Sequence, residues 1–164
     1  MKINEKLKLV LKDVYLYDIE SCHYSIMQNI GLDLTGIPKD DKLERNIQIG
    51  KLMRKNPKLT SLLRNTTRSI IDEYMRVNEV TDGDLVIRQY DGILITKTLR
   101  ITDLRGIPLN IRKHFQVFIS SIDRKRYIAL DSEMKTSIKG VPFRYPEMDK
   151  IYNTICRINY ANKE

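Results

Sequence analysis

Cysteine is scarce. Cys22 and Cys156 are the only two, too few for a disulfide framework and not spaced as a Cys-x-x-Cys metal site, so a reduced, cytoplasmic setting is the expectation. No apolar run approaches the roughly 20 residues that a bilayer-spanning helix needs. The opening MKINEKLKLVLKD is too polar for a secretory signal peptide. Internal repeats and low-complexity linkers are also missing. These absences set aside secreted disulfide scaffolds, membrane proteins and fibrous chains. What is present is a chain of 164 residues, hydrophobic at 41% and charged at 30%, enough for one domain with a real core. Its net charge of +8 and pI near 9.4 point to a polyanionic partner.

The strongest local signal lies between Leu85 and Thr98, LVIRQYDGILITKT. Two β-favouring runs meet at Asp91-Gly92, a dipeptide suited to a tight hairpin whose turn residues take positive φ. This places Asp91 at a rigid tip between apolar arms. Upstream, Val14 to Ile19 (VYLYDI) reads as a buried strand with Asp18 near its end. A short helix then follows, with Ser21 as N-cap and Gly31 as stop. The segment LDLTGIPKDD is a loop, punctuated by Gly36 and Pro38.

Two helices come next. Lys42 to Lys55 carries Leu43, Ile47, Leu52 and Met53 among basic residues. Pro57 interrupts, and Lys58 to Val77 is amphipathic, with Leu59, Leu62, Leu63, Thr66, Ile70, Ile71, Tyr74 and Met75 at helical spacing. After the hairpin, RITDLRGIPLNIRK reads as a loop leading into Phe115–Ile122. RKRYIAL and MKTSIKGVPF then continue a strand meander, with basic residues on the middle strand and at Lys139. A final helix is expected from Pro146 to Ala161, with Met148, Ile151, Tyr152, Ile155 and Ile158 as its buried stripe.

In this order, these elements resemble the palm of family B DNA polymerases, closest to the protein-primed phage branch. That family's first motif is a strand ending in Asp, then x-x-Ser-Leu-Tyr-Pro-Ser-Ile-Met. Asp18-Ile19-Glu20-Ser21-Cys22-His23-Tyr24-Ser25-Ile26-Met27 keeps the Asp, both serines and Ile-Met. The second motif, Lys-x-x-x-Asn-Ser-x-Tyr-Gly-Lys, is matched by Lys42, Asn46, Gly50 and Lys51. A Thr-x-x-x-Arg pattern corresponds loosely to Thr66-Thr67-Arg68. The third, Tyr-x-Asp-Thr-Asp-Ser in a hairpin, appears as Arg88-Gln89-Tyr90-Asp91, with Asp91 on the second Asp and Gln89 in place of the first. Lys125-Arg126-Tyr127 and Lys139-Gly140 stand for the family's Lys-x-Tyr and Lys-Gly elements.

The resemblance implies an α+β fold: a palm-like antiparallel sheet with an RRM/ferredoxin-like core, backed by helices, over one domain of residues 1–164. Residues 42–78 would be a fingers remnant and palm helix, 115–145 strands contacting primer-template, and 146–164 the C-terminal helix. It implies a DNA-directed DNA polymerase-like nucleotidyltransferase using Mg²⁺ or Mn²⁺, held by Asp18, Asp91 and the Ile19 carbonyl. Ser21, His23, Tyr24, Lys42, Arg45 and Asn46 would bind the nucleoside triphosphate. Gly50, Lys51, Arg68, Lys125, Tyr127 and Lys139 would bind primer-template nucleic acid. His23 takes the place of a tyrosine that excludes the 2′-hydroxyl. The interval from Asp18 to Lys42 is too short for a full fingers region, so replication proteins would supply missing fingers, thumb or exonuclease. The alternative is a catalytically inactive palm-like nucleic-acid-binding or replication-assembly subunit. Host cytoplasm, with no membrane partner, is the expected location.

Overall fold

The computed structural model describes residues 9–121, 123–133 and 135–139, together with Asn153 and Arg157. The helix expected from Pro146 to Ala161 therefore lies outside the described residues, apart from Asn153 and Arg157, which are helical and exposed.

The fold is α+β. Strand β1 (Leu9–Ile19) is followed by helices α1 (Cys22–Asn29), α2 (Lys42–Lys55) and α3 (Pro57–Val77). Strands β2 (Leu85–Arg88), β3 (Gly92–Ile95), β4 (Asp103–Leu104), β5 (Ile107–Ser120), β6 (Tyr127–Asp131) and β7 (Thr136–Lys139) follow. The sheet is seven-stranded and runs β2-β3-β1-β5-β6-β7, with β4 attached to β5. All its pairings are antiparallel. Within it, β5-β1-β3-β2 with helices crossing from β1 to β2 has the strand order of a ferredoxin-like core.

The helix starts follow from local chemistry. Asp41 caps α2 by accepting from the Glu44 amide at 3.0 Å. Asn56 ends α2 and caps α3, accepting from the Leu59 amide at 3.1 Å. Pro57 opens α3 at the first turn, where its missing N–H costs nothing. Ser21 departs from expectation. It sits at the N-cap of α1 in the left-handed region, φ 48°, and its side chain caps nothing.

The central strands are apolar on both faces, because the sheet is covered on both. Tyr17, Ile19, Ile93, Ile95, Ile107 and Leu109 pack against Ile26, Met27, Ile49, Leu63, Ile70, Ile71 and Tyr74 of the helices. Alternate residues Val14, Leu94 and Val86 join Phe115, Phe118 and Tyr127 in a second cluster on the other face. Thr67, rather than the expected Thr66, joins the buried face of α3, and Leu62 is exposed. Thr67 tolerates this position by donating back to the Leu63 carbonyl at 2.7 Å.

Val86 belongs to β2 and Tyr127 to β6, at opposite sides of the strand order. They share one cluster because the sheet curls. Arg124, in the turn between β5 and β6, reaches across and donates to the backbone carbonyls of Leu85 and Val86.

A second ferredoxin-like crossover helix would lie between β3 and β5. In its place the chain from Thr96 to Gly106 runs back along α3, held by side chains that include Asn78 and Tyr74. Asn78 accepts from the amides of Arg100 (3.0 Å) and Ile101 (2.8 Å) and donates to the Ile101 carbonyl. Tyr74, fully buried, accepts from the Leu104 amide at 2.9 Å and donates to the Ile107 carbonyl. Burial pushes its hydroxyl up to about 12.

Tyr74→Phe keeps the ring and strands the Leu104 amide and Ile107 carbonyl. The expected cost is about 1–3 kcal/mol of unfolding free energy, measured by urea denaturation at pH 7. A change under about 0.5 kcal/mol would show that water replaces the hydroxyl there.

Candidate functional site

At the end of β1 the sheet opens into a cleft of about 1140 Å³. Three layers line it. Asp18, Ile19 and Glu20 come from the strand end, with Asn110, Ile111 and Arg112 from β5 beside them. Tyr90 and Asp91 come from the β2–β3 turn. Ser21 to Ser25 open α1, and Lys39, Asp40, Lys42, Arg45, Asn46 and Gly50 face them from the other side.

Backbone pairing brings residues Asp18 and Asp91 to the same end of the sheet. Asp18 is opposite Gly92 in the β1–β3 register, and the Ile19 amide donates to the Asp91 carbonyl at 2.9 Å. A second sign of their convergence is Cys22. Burial raises its thiol to about 11, and the charges of both Asp91 and Asp18 add to that rise. The thiol stays protonated near neutrality, which removes it as a nucleophile.

The turn itself departs from the expected one. The Gln89 amide donates to the Gly92 carbonyl at 2.9 Å, so Tyr90 and Asp91 are its central residues and Gly92 already belongs to β3. Neither Asp91 nor Gly92 takes positive φ. Glycine is required here for a different reason. A Cβ at Gly92 would overlap the Tyr17 carbonyl oxygen and come within 3.3 Å of the Asp18 Cα.

Electrostatically the cleft has two sides. Asp18, Glu20 and Asp91 lie on the sheet side with Arg112 among them, and Lys39, Lys42 and Arg45 lie on the helix side with Asp40. Arg45 is 8% exposed. Its guanidinium donates to the Lys39 carbonyl and stands 5.9 Å from the Tyr24 ring centroid. Its Nε is buried without a hydrogen-bond partner. The first amides of α1, Cys22 to Tyr24, have no intrahelical acceptor, and no side chain caps them. Their residues line the cleft with Arg45, and the start of a helix carries partial positive charge.

His23 Nε2 and Tyr90 Oη are 3.1 Å apart, with the rings edge to face at 5.8 Å. Burial lowers the His23 pKa below 6.5, helped by Arg64 and opposed by Asp91. Tyr90 is 45% exposed, so the pair forms part of the cleft surface.

Of the residues expected from sequence, the cleft gathers Asp18, Ile19, Ser21, His23, Tyr24, Lys42, Arg45, Asn46, Gly50 and Asp91. Lys51, Arg68, Lys125, Tyr127 and Lys139 lie outside its lining. Lys51, Arg68, Lys125 and Lys139 are exposed elsewhere, with Lys125 in the β5–β6 turn rather than on a strand. Tyr127 is 8% exposed. Its ring stacks at a tilt on Phe118, 4.7 Å between centroids, so it serves the core and presents no surface to a nucleic acid. Among the described residues, no group of three or more His, Cys, Asp or Glu side chains is arranged to hold a metal ion.

Asn110, Arg112 and Tyr90 were not anticipated. The stretch RITDLRGIPLNIRK is not a loop: it forms β4 and the first half of β5. Asn110 donates to Glu20 at 3.2 Å, and Arg112 donates to Asp18 Oδ2 at 2.6 Å. The available signal was the alternation of Ile107 and Leu109 with Asn110 and Arg112, masked by Pro108.

No described helix is long and apolar enough to cross a membrane. The family model of the bacteriophage PBS1 gene 130 protein matches residues 4–153. No curated protein matches the chain.

Two outcomes follow from this geometry. An NMR pH titration is expected to give His23 a midpoint below 6.5. The stability that follows from this depression is present above 6.5 and is lost as pH falls through the lowered value; a midpoint above 6.5 would mean that Asp91 outweighs burial. Gly92→Ala forces β1 and β3 apart and is expected to cost more than about 2 kcal/mol in a denaturant melt. A near-neutral result would show that the strands can separate without loss.

Proposed function

This chain belongs to the bacteriophage PBS1 gene 130 protein family; we propose that it performs template-directed nucleotidyl transfer, as a minimal palm like that of family B DNA polymerases. The observation that carries this reading is one cleft lined by Asp18 at the end of β1, Asp91 in the adjoining β2–β3 turn, and Lys42 and Arg45 of α2. Its substrates would be nucleoside triphosphates and a primer-template, in a host cytoplasm. Other replication proteins would complete the missing fingers, thumb or exonuclease.

The donor set suits Mg²⁺ or Mn²⁺: carboxylate oxygens with the Ile19 carbonyl, and no thiolate. Mg²⁺ is commonly bound by one or two carboxylates plus substrate phosphates, so two aspartates without a third carboxylate are sufficient. Such a pair of ions lowers the pKa of a primer hydroxyl and neutralises the leaving phosphates.

The chain's own residues supply the rest. Asp18 at the end of β1 and Asp91 in the β2–β3 turn would hold the metals. Lys42, Arg45 and the open amides of α1 take the triphosphate, each able to make a charge-assisted hydrogen bond. The buried, unpartnered Arg45 Nε supports this assignment, since a phosphate oxygen would satisfy it. Ser21, His23 and Tyr24 shape the space below the sugar, and Asn46 and Gly50 continue the α2 wall. The hydrogen bond between Tyr90 and His23 adds a second ring to that surface, which offsets the small size of the imidazole.

The exposed cations Lys51, Arg68, Lys125 and Lys139 are candidates for backbone phosphates, a contact that weakens steeply with salt. A second reading is a catalytically inactive palm-like subunit that binds nucleic acid or docks in a replication assembly. It is favoured by the Arg112–Asp18 ion pair and by Gln89 where the family carries its first aspartate.

Primer extension with Mg²⁺ or Mn²⁺ separates the two readings. The wild type is expected to extend, and Asp18→Asn or Asp91→Asn to abolish extension while keeping or tightening duplex binding. Lys42→Ala is expected to raise the nucleotide KM about tenfold, the loss of one charge-assisted contact. Duplex binding without extension in either metal would select the inactive reading.

A further inference from the structure

Arg112 stands where nothing in the proposed chemistry uses it. Its guanidinium donates to Asp18 Oδ2 at 2.6 Å, and Asn110 on the same strand donates to Glu20. Strand β5 thus supplies a partner to each carboxylate at the end of β1. The two members of the ion pair differ in setting. The Asp18 side chain is 20% exposed and the Arg112 side chain 60%. The carboxylate is fixed in the sheet, whereas the arginine reaches in from solvent and can swing away at little cost. A half-buried carboxylate beside a second one, Asp91, needs a compensating charge, and Arg112 is the cation in place.

We propose that Arg112 is a placeholder cation: it neutralises Asp18 until a divalent metal ion takes the same oxygen and displaces it. The inference rests on the metal-dependent reading above and adds a competitor to it. Metal entry becomes an exchange of one cation for another. The site then stays neutralised and ordered when no nucleotide brings metal in. Arg112 acts through Asp18, so it is a positioning residue.

The test uses the full chain at low ionic strength, with Mn²⁺ as the probe. Free Mn²⁺ is followed by electron paramagnetic resonance, and thermal melts with and without the ion report folding. Arg112→Gln removes the competing charge. It is expected to tighten Mn²⁺ binding about three- to tenfold, the range for a solvent-facing unit charge next to a ligand. Arg112→Lys keeps the charge and is expected to bind as the wild type does, which a merely structural role for the guanidinium would not predict. In an Asp18→Asn background Arg112→Gln is expected to change nothing further. If Arg112→Gln binds Mn²⁺ equally or more weakly while Asp18→Asn abolishes binding, the exchange is overturned and the metal site stands. If neither the wild type nor Arg112→Gln, both folded, binds Mn²⁺, the exchange and the metal-dependent reading fall together.

Discussion

The whole arrangement depends on how closely β3 approaches β1 at Gly92. With no side chain there, the backbone of β3 settles against the Tyr17 carbonyl and the Asp18 Cα. The Ile19 amide then closes on the Asp91 carbonyl. This contact fixes the end of β1 and the tip of the β2–β3 turn as one rigid unit. Both carboxylates inherit their places from backbone hydrogen bonds, which are less mobile than any side-chain contact. The helices add the opposing charge: α2 begins at the Asp41 cap and presents Lys42 and Arg45 toward the strand ends.

Much of this could be read in the residues because it is set locally. The period of α3, the proline at its start and the apolar run of β3 each carry their own signal. Ten of the residues singled out in the sequence line one cleft, because local signals set the strand ends and helix starts that carry them. What could not be read depends on neighbours distant in sequence. Asp91-Gly92 looks like a turn that uses glycine for its φ, yet Gly92 is needed for a strand some 75 residues away. Tyr127 looks like a surface ring on a basic strand, but the curl of the sheet turns it onto Phe118. Asn110 and Arg112 conceal a strand because they line an open site instead of a core.

A division of labour follows. Side chains that hydrogen-bond to backbone, the buried Tyr74 and Tyr17 and the half-buried Asn78, hold the path from β3 back to β5. Tyr17 accepts from the Leu99 amide at 2.9 Å. The residues of the cleft make few such bonds, which leaves their polar atoms available to a ligand. Rigidity is supplied behind the site and chemistry at its surface, an economy suited to a small chain.

The reach of Arg124 to the β2 carbonyls bears on how the chain is made. Strand β2 is an outer strand, and an open row of carbonyls invites pairing with another chain. The guanidinium that occupies Leu85 and Val86 comes from a residue about 40 positions later. During synthesis β2 and β3 therefore leave the ribosome well before their guard does. For that interval the hairpin carrying Asp91 has an unprotected edge, and the order of translation, not the finished fold, sets its exposure to self-association.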